Sequence, residues 1–184
     1  IIGHRGAKGL APENTLSSII KAFSFGIKFV EVDVQISKDK VPLLLHDYNV
    51  DRTTNGKGQC RNFTFEELLI LDAGSWFDKK FKNEKILSLK ECINYIKYNE
   101  RGINIEIKSR KDHSKQSVEA ISKIFNETKY ELNCFFSSFD ILSLEMKYSN
   151  NLECFIVINR VSSTKQRSII IKTSKNLYQW KDEI

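Results

Sequence analysis

Phe29-Val30-Glu31-Val32-Asp33-Val34-Gln35 is the stretch on which the fold turns. In an extended chain Val30, Val32 and Val34 share one face, and Glu31, Asp33 and Gln35 share the other. The same alternation recurs downstream in Asn104-Ile105-Glu106-Ile107-Lys108, where Asn104, Glu106 and Lys108 fall on one face. In a parallel barrel, the inward face at the C-terminal ends of the strands is where reactive groups gather.

Outward from this strand the chain alternates between strand and helix. Ile1 to His4 reads as a short strand. A loop ends at Asn14, read as a helix N-cap, and Leu16, Ile19, Ile20 and Phe23 follow at helical spacing until Gly26. Leu43 to His46 is a third strand. Residues 47–85 break the rhythm: a polar, turn-rich opening, a short helix at Thr64–Leu71, then Gly74-Ser75-Trp76-Phe77. Ser88 caps a helix to about Asn99, and Ile103 to Lys108 is a fourth strand. A helix around Gln116–Phe125, a strand at Leu132–Ser137, a helix at Phe139–Lys147 and a strand at Cys154–Ile158 complete the alternation. Ile169 to Lys172 is a candidate seventh strand. About six alternations with right-handed crossovers predict an α/β TIM-type (β/α)8 barrel. The expected organisation is one barrel domain over residues 1–184, with a small insertion at 47–85 after the third strand. A closed barrel takes roughly 200 residues or more, so this one is expected to be C-terminally incomplete by one or two strand–helix units.

The chain has 184 residues, 41% hydrophobic and 28% charged, with a net charge of +6. The basic residues are scattered, which argues against a nucleic-acid partner, while a positive field modestly favours an anionic substrate. No apolar run reaches the roughly 18–20 residues of a membrane span. Cys60, Cys92, Cys134 and Cys154 lack the short spacing of a zinc or redox motif and read as reduced thiols. That leans towards the cytoplasm. The sequence begins at Ile1 without a Met, so secretion stays open. The oligomeric state is not encoded in any pattern here.

Glu31, Asp33 and Glu106 facing one axis would repel strongly, and a hard divalent cation, Mg²⁺ or Ca²⁺, resolves this. The alternative is a buried ion network in which Arg5 and Lys108 neutralise the acids. His4 and His46 both end strands beside charged residues and suit a general acid–base pair. Arg5 suits a phosphate group, and Glu13 can orient it or His4. His113 reads as a solvated loop residue, and Trp76 and Phe77 as either an entrance or packing of the insertion.

The ordered set His4-Arg5-Gly6, Pro12-Glu13-Asn14-Thr15, Glu31-Val32-Asp33-Val34, His46-Asp47, Asp51-Arg52-Thr53-Thr54-Asn55-Gly56, Asp72-Ala73-Gly74-Ser75-Trp76-Phe77, Asn104-Ile105-Glu106-Ile107-Lys108 and Ser137-Ser138-Phe139-Asp140 resembles the glycerophosphodiester phosphodiesterase family. The resemblance spans about residues 1 to 140. It implies a phosphodiesterase barrel with residues 47–85 beside its mouth. It implies hydrolysis of a small-molecule glycerophosphodiester to glycerol 3-phosphate and an alcohol. One divalent cation would sit on Glu31, Asp33 and Glu106, with His4 and His46 as acid and base and Arg5 and Lys108 on the phosphate. Lys40 stands where the family usually has Gly, and Leu87 where a Pro is usual. The family's late Trp-Thr-Val-Asn-like segment has no match, Trp180 lying in Tyr178-Gln179-Trp180-Lys181. Two other readings compete: a phospholipase acting on intact lipid, and a truncated, non-catalytic barrel that binds metal or phosphate.

Overall fold

A computed structural model describes residues 1–108, 113–127 and 133–139, together with the backbone of residue 128 and of three further strands, Cys154–Asn159, Ser168–Thr173 and Leu177–Lys181. The sheet is organised around β2 (Phe29–Ile36), which pairs in parallel with β1 (Ile2–His4) on one side. The antiparallel partner at its far end is β3 (Pro42–Leu44). Its other side pairs in parallel with β4 (Gly102–Ile107), which continues to β5 (Cys134–Ser137) and β6 (Cys154–Asn159). The order then runs through β7 (Ser168–Thr173) and β8 (Leu177–Lys181), each antiparallel to its predecessor.

The valine face of β2 is sealed. Val30, Val32 and Val34 have no exposed surface and join Ile103, Ile105 and Ile107 of β4 in one apolar cluster. Burying each such side chain is worth about 1.5–3 kcal/mol. Three helices close over this face: α1 (Leu16–Ser24), α3 (Leu89–Tyr98) and α4 (Ser114–Thr128). They contribute Ile19 and Ala22, Cys92, Ile93 and Ile96, and Val118 and Ile121, each set at helical spacing. The acidic face of β2 is buried too: Glu31, Asp33 and Gln35 are 8%, 0% and 6% exposed. A strand apolar on one side, acidic on the other and dry on both is built for a barrel interior with chemistry in it.

Local details support the sequence reading at several points. Ser88 caps α3 through a reciprocal pair with Glu91, and Thr64 does the same with Glu67 for α2 (Phe65–Leu69). Gly26, in the left-handed region at φ +76°, closes the end of α1. The cap of α1 is a correction: Thr15, not Asn14, accepts from Ser18 N (3.3 Å). Asn14 turns inward for another purpose.

β3 is a second correction. It is the return strand of a hairpin with β2, paired Val34 to Leu44, and not a further parallel strand. Lys40 makes that hairpin's tight turn at φ +63°, a left-handed conformation that explains why Gly is the usual residue there. β7 likewise pairs as an antiparallel neighbour of β6. Of the helix expected at Phe139–Lys147, all but its first residue lies outside the described residues.

Residues 47–85 carry their own apolar cluster. Val50, Cys60, Leu68 and Ala73 pack with Leu43 of β3, with Leu45 just after it and with Ile86. Asp72 nails this segment together, accepting from Gly74 N (2.8 Å), Ser75 N (2.8 Å), Ser75 Oγ (2.7 Å) and Asn83 N (3.0 Å). Trp76 packs within it, its indole N–H on Ala73 O at 2.9 Å and its ring against Phe77. Glu84 fastens the segment to α1 through Ser17 N (3.1 Å) and Ser17 Oγ (2.5 Å).

Candidate active site at the strand ends

Parallel register stacks the chemistry in two layers. His4, Glu31 and Asn104 lie side by side on β1, β2 and β4. One step further along, Asp33, Glu106 and Ser137 do the same on β2, β4 and β5. The carboxylates of Glu31, Asp33 and Glu106 thereby converge, one oxygen from each lying within 4.8 Å of the others.

Two cations stand against them. Arg5 Nε is 3.1 Å from Asp33 Oδ2, and Lys108 Nζ is 3.1 Å from Asp33 Oδ1 and also pairs with Glu106. The ion network considered from sequence is thus present, yet it leaves the acids undercompensated. Two cations meet three carboxylates, and Glu31 Oε1 is buried without a hydrogen-bond partner. Asp33 Oδ1 meets Lys108 as an ion pair only, without hydrogen-bond geometry. Burial, then the neighbouring Asp33, pushes the Glu31 carboxyl up to about 8. An orphaned, buried oxygen in a cluster of hard oxygen donors fits a divalent cation such as Mg²⁺ or Ca²⁺.

The backbone after β1 is bent to serve this cluster. Arg5 adopts φ +52° and Gly6 φ +81°. Arg5 N donates to Glu31 Oε2 at 2.9 Å, while Arg5 O accepts from Ser18 Oγ and from Asn14 N. A Cβ on Gly6 would come within 2.5 Å of Ser18 Oγ, so only glycine fits. A bulky residue in the left-handed region, held by its surroundings, is typical of strain stored at a functional site. His4 is more than half exposed, its Nε2 3.8 Å from Glu31 Oε2. Partial burial, then Arg5 and Lys8, lowers its affinity for a proton.

His46 is delivered by the hairpin. Leu45 N bonds to Asp33 O at 3.0 Å, directly joining its segment to the acidic strand. Gln35 Nε2 donates to the carbonyls of Leu45 (3.1 Å) and Asp47, latching the backbone on both sides of the imidazole. Asp47 Oδ1 holds His46 Nδ1 at 2.6 Å.

The structure therefore brings His4, Arg5, Glu31, Asp33, Glu106 and Lys108 together, and ties His46 to the same level through Leu45 and Asp33. His113 is not part of this group; its ring meets Arg61. Three contributors were missed from sequence. Asn14 was assigned only a cap, but it grips Asp33 twice: Nδ2 to Oδ2 at 2.9 Å and Asp33 N to Oδ1 at 3.1 Å. Gln35 shares the acidic face of β2, which was a signal for it. Arg52 stands in the matched segment at residues 51–56 but carries no assigned role there, and it reaches both Asp47 and Glu13. Glu13 does orient Arg5, accepting from Nη1 at 2.7 Å.

Fold and site define a class: a barrel whose strand ends hold an acidic cluster between two fixed cations. The family profile of the glycerophosphoryl diester phosphodiesterases matches residues 4–178. The chain belongs to this family, and its parallel strands β1, β2, β4, β5 and β6 are part of the TIM-type (β/α)8 barrel seen in the family's solved structures. It is 40% identical over 144 residues to a glycerophosphodiester phosphodiesterase of Caldanaerobacter subterraneus, covering 78% of this chain and 59% of the relative. The human glycerophosphodiester phosphodiesterase 1 is 36% identical over 128 residues, or 68% of this chain and 38% of the relative. An Oleispira antarctica phosphodiesterase solved with its product sn-glycerol-3-phosphate superposes with a TM-score of 0.82 at 36% identity, covering 88% of this chain and 66% of that one. The glycerophosphodiester phosphodiesterase of Agrobacterium tumefaciens gives 0.72 at 32% identity, covering 81% and 62%. The chain thus spans less than two thirds of each of these relatives. Among the described residues, no helix is long and apolar enough to cross a membrane.

Proposed function

We propose that this chain carries the catalytic centre of a phosphodiesterase that hydrolyses glycerophosphodiesters to glycerol 3-phosphate and an alcohol. The observation that carries this reading is the convergence of Glu31, Asp33 and Glu106 within 4.8 Å, flanked by Arg5 and Lys108. The product bound by the Oleispira antarctica relative is the one this reaction releases.

Glu31, Asp33 and Glu106 would hold one divalent cation, Mg²⁺ or Ca²⁺, which supplies Lewis-acid stabilisation of charge on the phosphoryl oxygens. Arg5 and Lys108 add fixed positive charge on the same group and are already oriented, so little reorganisation is needed as charge builds. His4 and His46 divide the proton work: one takes the proton from the attacking hydroxyl, the other gives one to the departing alcohol. Asp47 supports this by accepting from His46 Nδ1, which leaves Nε2 as the nitrogen available to substrate. The insertion's fixed attachment to α1 through Glu84 gives the hairpin carrying His46 a rigid neighbour.

The test is release of glycerol 3-phosphate from glycerophosphocholine by chelator-stripped protein, before and after adding Mg²⁺ or Ca²⁺, with His46→Ala beside it. Activity restored by metal and absent in the variant is the expected result. Turnover that persists in His46→Ala refutes the assignment of the acid–base pair. Turnover unaffected by chelation refutes the metal.

A further inference from the structure

Arg52 lies in the loop after β3, outside the acidic cluster, with its side chain 44% exposed. An exposed arginine ordinarily contributes little. This one makes two bidentate contacts at once. Nε and Nη2 donate to Asp47 Oδ2 (2.6 Å) and Oδ1 (3.1 Å), while Nη2 and Nη1 donate to Glu13 Oε1 (2.7 Å) and Oε2 (3.1 Å). The two carboxylates lead in different directions. Asp47 holds His46 Nδ1, and Glu13, nearly buried, holds Arg5 Nη1 and through it faces Asp33. One planar guanidinium thus connects an unbroken line of charged contacts from His46 to Arg5.

We propose that Arg52 is a positioning residue for the reaction, a clamp that sets His46 and Arg5 at a fixed relation to one another and so makes the insertion part of the catalytic apparatus. The proposal rests on the acid–base role of His46 given above. Arg52 keeps Asp47 an acceptor, pulling its carboxyl down to about 2 together with His46. An acceptor at Oδ1 selects the His46 tautomer that carries its proton on Nδ1. On the other arm, Glu13 without Arg52 would lose two N–H donors, and Arg5 would be freer to turn from its strained position. A lysine keeps the charge but has no fork with which to grip two carboxylates.

The experiment uses the full chain with Arg52→Lys, Asp47→Asn and the double variant. In Arg52→Lys, kcat is expected to fall roughly 10- to 100-fold with KM within about threefold of wild type, the loss typical when a partner orienting a functional group is removed. The double variant is expected to lose little more than Asp47→Asn alone, because both changes break one line of contacts. The ¹⁵N signals of the His46 ring are expected to show the Nδ1-protonated tautomer in wild type and a mixture in Arg52→Lys. A wild-type kcat in Arg52→Lys overturns the proposal. So does a loss that simply multiplies with that of Asp47→Asn, or one matched by a fall in Tm with His46 unchanged. If the wild-type chain cleaves no diester, the functional reading fails separately. The His46 spectra then still decide whether Arg52 sets that ring.

Discussion

Replacing a candidate metal ligand should make the metal-free protein more stable. Glu31 is the residue to change, to Gln. Its carboxyl is buried, shares its site with Asp33 and Glu106, and rises from the ordinary 4.5 to about 8. In chelated protein at pH 7 the folded state therefore keeps a proton that the unfolded chain has released. The span from 4.5 to pH 7, at about 1.4 kcal/mol per pH unit, amounts to about 3 kcal/mol against folding. The sign follows directly. Below 4.5 both states hold the proton and nothing is lost, and wild-type stability then falls as pH rises until about 8. Gln carries no such penalty and can still accept from Arg5 N, although its amide loses hydration, so the net gain is about 1–3 kcal/mol. For a chain of this size that is about 3–10 °C in Tm. Thermal unfolding in chelator at pH 4, 6 and 8 measures it: the variant should match wild type at pH 4 and exceed it increasingly above. Adding Mg²⁺ or Ca²⁺ should raise the wild-type Tm and not the variant's. A variant no more stable than wild type at pH 7, or a gap that ignores pH, would show that the acidic cluster is not frustrated and would remove the reason for a cation.

Gly74→Ala should destabilise by about 1–3 kcal/mol, since the added Cβ would lie 2.0 Å from Phe81 O; urea unfolding at wild-type level would refute that packing. Cys60 and Cys92 should resist alkylation in the native state, because burial pushes both thiols up, Cys60 to about 12, whereas the half-buried Cys134 should be modified before either of them. Mass spectrometry of briefly alkylated protein reads the order, and early labelling of Cys92 would contradict its burial within the helix–sheet core.

The strands that carry chemistry were legible because a period of two is a strong signal when valine alternates with acid. Alternation placed Glu31 and Asp33 on one face of β2 and Glu106 on one face of β4, and the register put Glu106 level with Asp33, one layer beyond Glu31. Pairing direction was less visible, because it is not a property of one strand. Even so, the seven residues between Gln35 and Leu43 were a signal. A parallel return needs a crossover of a dozen or more residues, so a link that short forces a hairpin. Asn14 was misassigned because an Asn before a helix satisfies the capping pattern so well; its real partner lies nineteen positions away on another strand. The members of the Arg52 line all stand in segments that carry the resemblance, but the contacts between them do not show in sequence. The line joins residues from three separated segments, and charge in a loop carries no address. Strand β8 alternates Tyr178 and Trp180 with Gln179 and Lys181, but five residues are too few for that period to stand out.

The double burial of β2 has a consequence for how the protein breathes. The strand is paired with β1 and β3 on one edge and with β4 on the other, the gap at Asp33 N is filled by Asn14 Oδ1, and neither face is open to water. Such a strand exchanges its hydrogens only when the whole molecule opens. Glu31 and Asp33 are therefore mounted on the segment that yields last. Local fluctuation at the surface cannot spread the acidic pair. The spacing of the two carboxylates therefore persists for as long as the protein is folded at all.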